Sequence, residues 1–110
     1  MNSSEGEKIA RNESLFREVN ERIAESAERL AAQETSFVCE CSDPTCAERI
    51  DATLEEYERV REDGARFLVV NGHEDERAEG VVRADGDRAV VEKQHPLVEP
   101  IVRELDPRAA

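Results

Sequence analysis

The sequence has few of the residues that fill a large hydrophobic core. It contains no Trp, one Tyr and three Phe, and 38% of its 110 residues are hydrophobic. A chain of this length forms a single domain and buries roughly two-thirds of its unfolded surface. Val, Leu, Ile and Ala must therefore fill one modest core, which a bound metal ion would help to stabilise.

The chain also lacks the features of proteins that bind nucleic acids or membranes. Its formal net charge is -12, whereas phosphate recognition requires Lys and Arg clustered on one face. No apolar run approaches the roughly 20 residues of a membrane span, and Met1 precedes polar residues rather than a signal peptide. The sequence predicts a cytoplasmic protein with no direct contact to nucleic acid or membrane.

Common catalytic motifs are absent as well. The sequence has no glycine-rich phosphate loop, no Gly-x-Ser-x-Gly and no His-Glu-x-x-His. Its 27 acidic residues are interpreted as mostly solvated helix faces rather than as paired catalytic carboxylates. We therefore predict that the protein is not an enzyme and has no catalytic residues.

An amphipathic helix is predicted near the N-terminus, over about residues 7–32. Apolar residues recur there with a seven-residue spacing at Ile9, Phe16, Ile23 and Leu30, which is typical of a helical stripe. The stripe can pack on the chain's own domain. Alternatively, Ile9, Phe16 and Ile23 can bind a protein partner or a second copy of the chain, as a homodimer.

The rest of the sequence predicts a small, mainly antiparallel sheet with one further helix. The predicted strands cover residues 36–41, 66–70, 80–83 and 88–92. Gly86 supplies the turn of a hairpin, and a capping box at residues 53–56 begins the helix. A last, short helical pattern is broken by Pro100.

This order of elements predicts an α+β fold. We divide the chain into an N-terminal amphipathic helix over residues 1–34, a zinc-stabilised α+β domain over residues 35–105 and a disordered tail over residues 106–110. The prediction that this domain binds zinc rests on its cysteines.

Three cysteines lie within eight residues, at Cys39, Cys41 and Cys46. In a reducing cytosol such a cluster indicates metal binding or reactive thiols rather than disulfides. Strand alternation places Cys39 and Cys41 on the same side, and the turn at Asp43 and Pro44 can fold Cys46 back toward them. The segment is therefore predicted to form a loop similar to a zinc knuckle.

A tetrahedral zinc site requires a fourth ligand. His73 is the favoured one, because it follows a predicted strand in a turn with Gly72. His95 also follows a strand, and Asp43, a water molecule or no metal at all are further alternatives. Free cysteines are often merely small buried hydrophobes, but three of them beside turn residues are hard to explain as core filling.

The chain resembles a group of small uncharacterised actinobacterial proteins. The resemblance spans nearly the whole chain and rests on the cysteine loop at 39–46, the helical segment at 11–23 and the Gly72-His73-Glu74 turn. Those proteins look as if they keep the three cysteines and the Gly-His-Glu turn. The resemblance implies His73 rather than His95 as the ligand, and it implies no activity.

Together these observations favour a small intracellular zinc-binding protein that acts as a non-catalytic interaction or regulatory module. In this hypothesis a structural Cys3His site fixes the fold, and the helix or the acidic surface meets a protein partner. Two alternatives stay open: a redox- or metal-responsive thiol switch, and a metalloenzyme in which water takes the place of His73. The net charge alone also suggests a nucleic-acid mimic.

Overall fold

A computed structural model describes residues 1–109 of the chain. In chain order the elements are α1 (Ser3–Arg29), β1 (Glu34–Val38), β2 (Arg49–Thr53), α2 (Leu54–Val60), β3 (Arg66–Val70), β4 (Glu79–Asp85), β5 (Arg88–Lys93) and α3 (Glu99–Glu104). The predicted α+β fold is confirmed. The last residue of the predicted tail, Ala110, lies outside the described residues.

The strands form two antiparallel sheets rather than the single sheet expected. β1 pairs with β2, and β5 lies between β3 and β4 in a three-stranded sheet. The prediction lacks β2, because only Ile50 and Ala52 carry its alternating pattern. Both are buried while Arg49 and Asp51 are exposed, so β2 forms by pairing with β1.

β1 ends before the cysteines, whereas the predicted strand extends to Cys41. The Cys39 amide still donates to Glu48 O at 3.1 Å, but the Glu40 amide donates to Leu68 O on β3 at 2.8 Å. The chain thus changes its hydrogen-bonding partner between two adjacent residues. Successive side chains nevertheless still point to opposite sides of the chain. Cys39 and Cys41 lie in the same core cluster, whereas the side chain of Glu40 makes hydrogen bonds with Asn20 and Tyr57.

Local turn and cap signals are confirmed. Thr53 caps α2, since its Oγ1 accepts a hydrogen bond from the Glu56 amide at 3.0 Å, and Gly86, with φ of 63°, turns β4 into β5. The pattern at residues 97–105 contains a helix, α3, with Pro100 in its first turn. Pro100 is tolerated there because the first-turn amides have no helical partner in any case.

Four of the nine buried residues of α1 are polar, so the face that packs against the domain differs from the predicted apolar stripe. Ile9 is buried, Phe16 and Ile23 are half-buried, and Leu30 is 80% exposed. The buried residues are Gly6, Ile9, Ala10, Glu13, Ser14, Arg17, Asn20, Ala24 and Ala27. Because this face contacts β1, α2 and α3, residues 1–34 are an integral part of the fold and not a separate unit.

The C-terminal residues also contact the domain, in contrast to the disordered tail predicted from 106. Asp106 forms an ion pair with the buried Arg61. Arg108 pairs with Glu21 of α1 at 2.9 Å and with Glu58 of α2 at 2.7 Å. These side chains link the tail to both helices.

Candidate metal centre

The structure brings together the three cysteines and His73. One ligand atom from each of these four residues lies within 4.8 Å of all the others. His73 Nδ1 is 3.7 Å from the sulfur of Cys39 and 3.7 Å from the sulfur of Cys46. Cys39 and Cys41 are buried, whereas Cys46 and His73 are half-buried. This group could hold a metal ion.

A tight turn returns Cys46 to the other two cysteines. The carboxylate of Asp43 accepts hydrogen bonds from the Thr45 amide at 2.9 Å and from the Thr45 hydroxyl at 2.8 Å. The Cys46 amide donates to Asp43 O at 3.1 Å. Asp43 therefore forms the loop with its side chain, and it does not belong to the group of four.

The His73 turn lies directly beside this loop. The His73 amide donates to Val70 O at 2.9 Å, and Gly72 has a φ of 96°, a conformation that favours glycine. At the end of β3, the Val70 amide donates to the sulfur of Cys39 at 3.2 Å. Such a bond stabilises a thiolate and is typical of the surroundings of metal-bound cysteines.

His95 lies outside the group. Its Nδ1 accepts a hydrogen bond from the Leu97 amide at 3.0 Å, and its own amide donates to Ala78 O at 3.2 Å. His95 thus stabilises the approach to α3. Of the two candidate histidines, only His73 joins the cysteines.

The three thiols perturb one another's protonation. The pKa of Cys41 is lowered to about 5, mainly because the Cys39 thiol donates a hydrogen bond to it. The same bond, together with burial, raises the pKa of Cys39, and burial raises the pKa of Cys46. A cation bound among the sulfurs would favour the thiolate form of all three, because metals bind the deprotonated thiol.

A buried carboxylate orients the segment that carries two of the cysteines. Glu40, which lies between them in sequence, is fully buried. It accepts hydrogen bonds from Asn20 at 2.8 Å, from the Tyr57 hydroxyl at 2.9 Å and from the Leu68 amide at 2.9 Å. Burial raises its pKa. By holding Glu40 on one side, these bonds direct Cys39 and Cys41 to the other side of the chain.

A second set of polar contacts joins the two ligand loops to each other and to α1. The Ser42 hydroxyl, next to Cys41, donates to the carboxylate of Asp75 at 3.0 Å. Asn12 donates to Ser42 O at 3.2 Å, and the Asp75 amide donates to Glu79 at 3.1 Å. Sequence reasoning missed Glu40 and Asp75, because nothing in so acidic a sequence distinguishes a buried carboxylate from a solvated one. It missed the role of Ser42 because its partner, Asp75, is 33 residues away in the sequence.

The fold and the site together define the class of protein: it is an α+β domain with four side chains that could hold a metal ion. No family model, no curated protein and no solved structure matches the chain. Within residues 1–109 no helix has both the length and the apolar character needed to cross a membrane. The resemblance to small actinobacterial proteins stays a prediction, and the function is argued from the site itself.

Proposed function

We propose that Cys39, Cys41, Cys46 and His73 bind one zinc ion, and that the protein is a small zinc-stabilised interaction or regulatory module. The spacing of the ligand atoms is the observation that carries the proposal. Tetrahedral zinc with Zn–S of about 2.3 Å and Zn–N of about 2.05 Å separates sulfur from nitrogen by about 3.6 Å. The two distances from His73 Nδ1, each 3.7 Å, agree with that value.

The chemistry of the four ligands favours zinc over magnesium or calcium. Thiolate and imidazole are ligands of zinc and other softer metals, whereas magnesium and calcium prefer oxygen. Three thiolates, a neutral imidazole and Zn²⁺ carry a net charge of -1, and the Val70 amide that donates to Cys39 offsets part of it. The half-buried position of His73 and Cys46 provides a path for the ion.

Four protein ligands complete a tetrahedral shell, and this supports a structural rather than a catalytic role. An enzyme that activates water on zinc keeps one coordination position open. The alternative, in which water replaces His73, is tested with the cobalt-substituted protein. A tetrahedral cobalt spectrum that added anions do not change supports the closed shell, whereas a spectrum that shifts with azide supports the metalloenzyme.

The zinc site is tested by elemental analysis of the purified protein and of three variants. We expect one zinc per chain in the wild type and in the control, His95→Ala. Cys41→Ser and His73→Ala should lose most of it, because each removes a ligand. Equal loss in His95→Ala, or a wild type that binds no metal after refolding with zinc, would overturn the proposal.

The outer surface of α1 supports a protein partner. Leu15, Val19 and Leu30 are 60%, 40% and 80% exposed. Val19 and Leu30 line an open groove of about 480 Å³ between α1 and β1, together with the half-buried Ile23. Ile9 is buried in the chain's own core, so it is not accessible to a partner. The other two predicted partner-binding residues, Phe16 and Ile23, are half-buried and can still contact one.

A homodimer through this surface is the simplest version of the partner hypothesis. Sedimentation equilibrium of the wild type should then show dimers that Leu30→Asp disrupts. Val81→Asp, at an apolar side chain on β4 that is 48% exposed, is the control. A monomeric wild type would exclude the homodimer and leave a different protein as the partner. Deleting residues 1–34 is not a suitable test, because α1 supplies buried contacts to the site.

A thiol switch is the second candidate, and the exposure of Cys46 favours it. Cys46 is half-buried and follows three exposed residues, 43–45. Hydrogen peroxide would take two electrons from two of the zinc-bound thiolates, which form a disulfide and release zinc, while two protons convert the peroxide to two waters. Rapid zinc release under mild peroxide, reversed by a dithiol, would favour the switch, and resistance would argue against it.

A further inference from the structure

A second concave site lies on the face of the three-stranded sheet that packs against α2. Leu68 and Val90 are paired neighbours on this face, and both are buried against Tyr57 and Val60 of α2. β4 continues the sheet beyond them but is exposed from Val81 to Asp85. A groove of about 290 Å³ results, with Leu68 and Val90 on its floor and with α2 and β4 among its walls.

Three arginines line this groove. Arg59 comes from α2, Arg83 from β4 and Arg88 from the start of β5. Arg59 pairs with Glu55 at 2.6 Å, but both side chains are more than half exposed, so the pair is readily exchanged for another anion.

Arg88 and Arg83 differ in their carboxylate partners. Arg88 pairs with Glu56 at 2.9 Å and with Asp87 at 3.2 Å. Within residues 1–109, Arg83 has no carboxylate in ion-pairing distance. It is therefore the guanidinium most available to a ligand.

An irregularity in β4 places Arg83 in the groove. Val81 pairs with Val91, but the next paired residue, Arg83, is opposite Val90, so Val82 is an extra residue in the strand. Without this bulge, residues 81 and 83 would point to the same face. The bulge turns Arg83 onto the face of Val90 and Leu68, and bulges commonly redirect a side chain in this way.

The lining of the groove carries three positive and two negative side chains, in a strongly acidic protein. Its charged lining residues are Arg59, Arg83, Arg88, Glu56 and Asp85, whereas the whole chain carries a formal charge of -12. Charges more than about 8 Å away are largely screened at physiological salt. Arg59 and Arg88 already pair with carboxylates, so the positive charge offered to an anion in the groove is mainly that of Arg83. Guanidinium groups bind planar carboxylates and phosphates with paired hydrogen bonds.

We propose that this groove binds a small organic anion. An oxyanion head, either a carboxylate or a phosphate monoester, would contact Arg83 with help from Arg59 and Arg88, and a short apolar group would lie on Leu68 and Val90. The site is separate from the zinc ligands and does not depend on them. Its volume suits a ligand at the small end of those that proteins bind.

The proposal is tested by NMR titration of the full chain with phenyl phosphate, benzoate and phenol. Either anion should shift the amide signals of β4 and β5 with saturation, and the tighter one identifies the head group. Phenol, which lacks the charge, should not saturate. In Arg83→Gln the affinity for the anion should fall at least about tenfold, because a charge-assisted contact is lost.

Arg11→Gln is the matched control, because it removes the same charge from an exposed arginine of α1 that pairs with Glu7. It should bind the anion as the wild type does. The proposal is overturned if neither anion gives saturable shifts in β4 and β5, if phenol binds as tightly, or if the two variants behave alike.

Discussion

Replacing Asn20 should destabilise the protein more than replacing an exposed residue of the apolar stripe on α1, such as Leu30. Asn20 is fully buried. It donates to Val38 O at 2.8 Å and to Glu40 at 2.8 Å, and it accepts from the Val38 amide at 2.8 Å. One side chain thus connects α1 to the end of β1 and to the carboxylate between the two buried cysteines.

The cost of Asn20→Ala follows from these three contacts. Each buried partner left without a hydrogen bond costs about 1 to 3 kcal/mol, whereas Ala favours the helix by about 0.5 kcal/mol. A net loss of about 3 kcal/mol is expected, a large share of the roughly 5 to 15 kcal/mol that stabilises a domain. Urea unfolding of the zinc-loaded protein, followed by circular dichroism, measures it.

Asn12→Ala is the control, because Asn12 is half-buried and makes a single hydrogen bond, to Ser42 O at 3.2 Å. Its cost should be about 1 kcal/mol or less. Asn20→Asp should be as damaging as Asn20→Ala, since it places a second carboxylate beside Glu40. If Asn20→Ala lowers the free energy of unfolding no more than Asn12→Ala does, the hydrogen bonds from Asn20 to Val38 and Glu40 do not stabilise the fold as we argue.

Three further predictions concern the site and the buried charges. Asp75→Asn should weaken zinc binding about tenfold in competition with a chelator, because Ser42 then loses a charged partner, and Glu76→Gln, at an exposed position, should not. Removing zinc should lower the unfolding temperature, measured by calorimetry, and restoring zinc should recover it. Lys93 pairs with both Glu13 and Glu79 in the interior, and burial raises the pKa of Glu13 from 4.5 to about 7. The folded state then keeps a proton that the unfolded state releases, so the free energy of unfolding should decline as the pH rises from about 4.5 to 7, and Glu13→Gln should remove this decline.

Local signals in the sequence predicted the parts of the fold that depend on neighbouring residues. The capping box at Thr53 and the Gly86 turn are formed by contacts over a few positions, and both are confirmed. The convergence of the cysteines was also predictable, because side-chain alternation at Cys39 and Cys41 and the turn chemistry of Asp43 are local properties.

Long-range pairing accounts for most of what the sequence did not predict. β2 has few apolar residues and depends on β1 for its hydrogen bonds. The buried face of α1 includes Glu13, Arg17 and Asn20, and hydrophobic periodicity assigns such residues to solvent. Their burial depends on hydrogen bonds to distant residues: Arg17, for example, donates to Gly64 O at 2.7 Å and to Val102 O at 2.6 Å.

X-ray absorption at the zinc edge of the zinc-loaded protein tests the central claim most directly, because it counts the ligand atoms around the metal and measures their distances. The account predicts three sulfurs at about 2.3 Å and one nitrogen at about 2.0 to 2.1 Å, with the nitrogen lost in His73→Ala. A shell of oxygen ligands, fewer than three sulfurs, or a spectrum that His73→Ala leaves unchanged would contradict it.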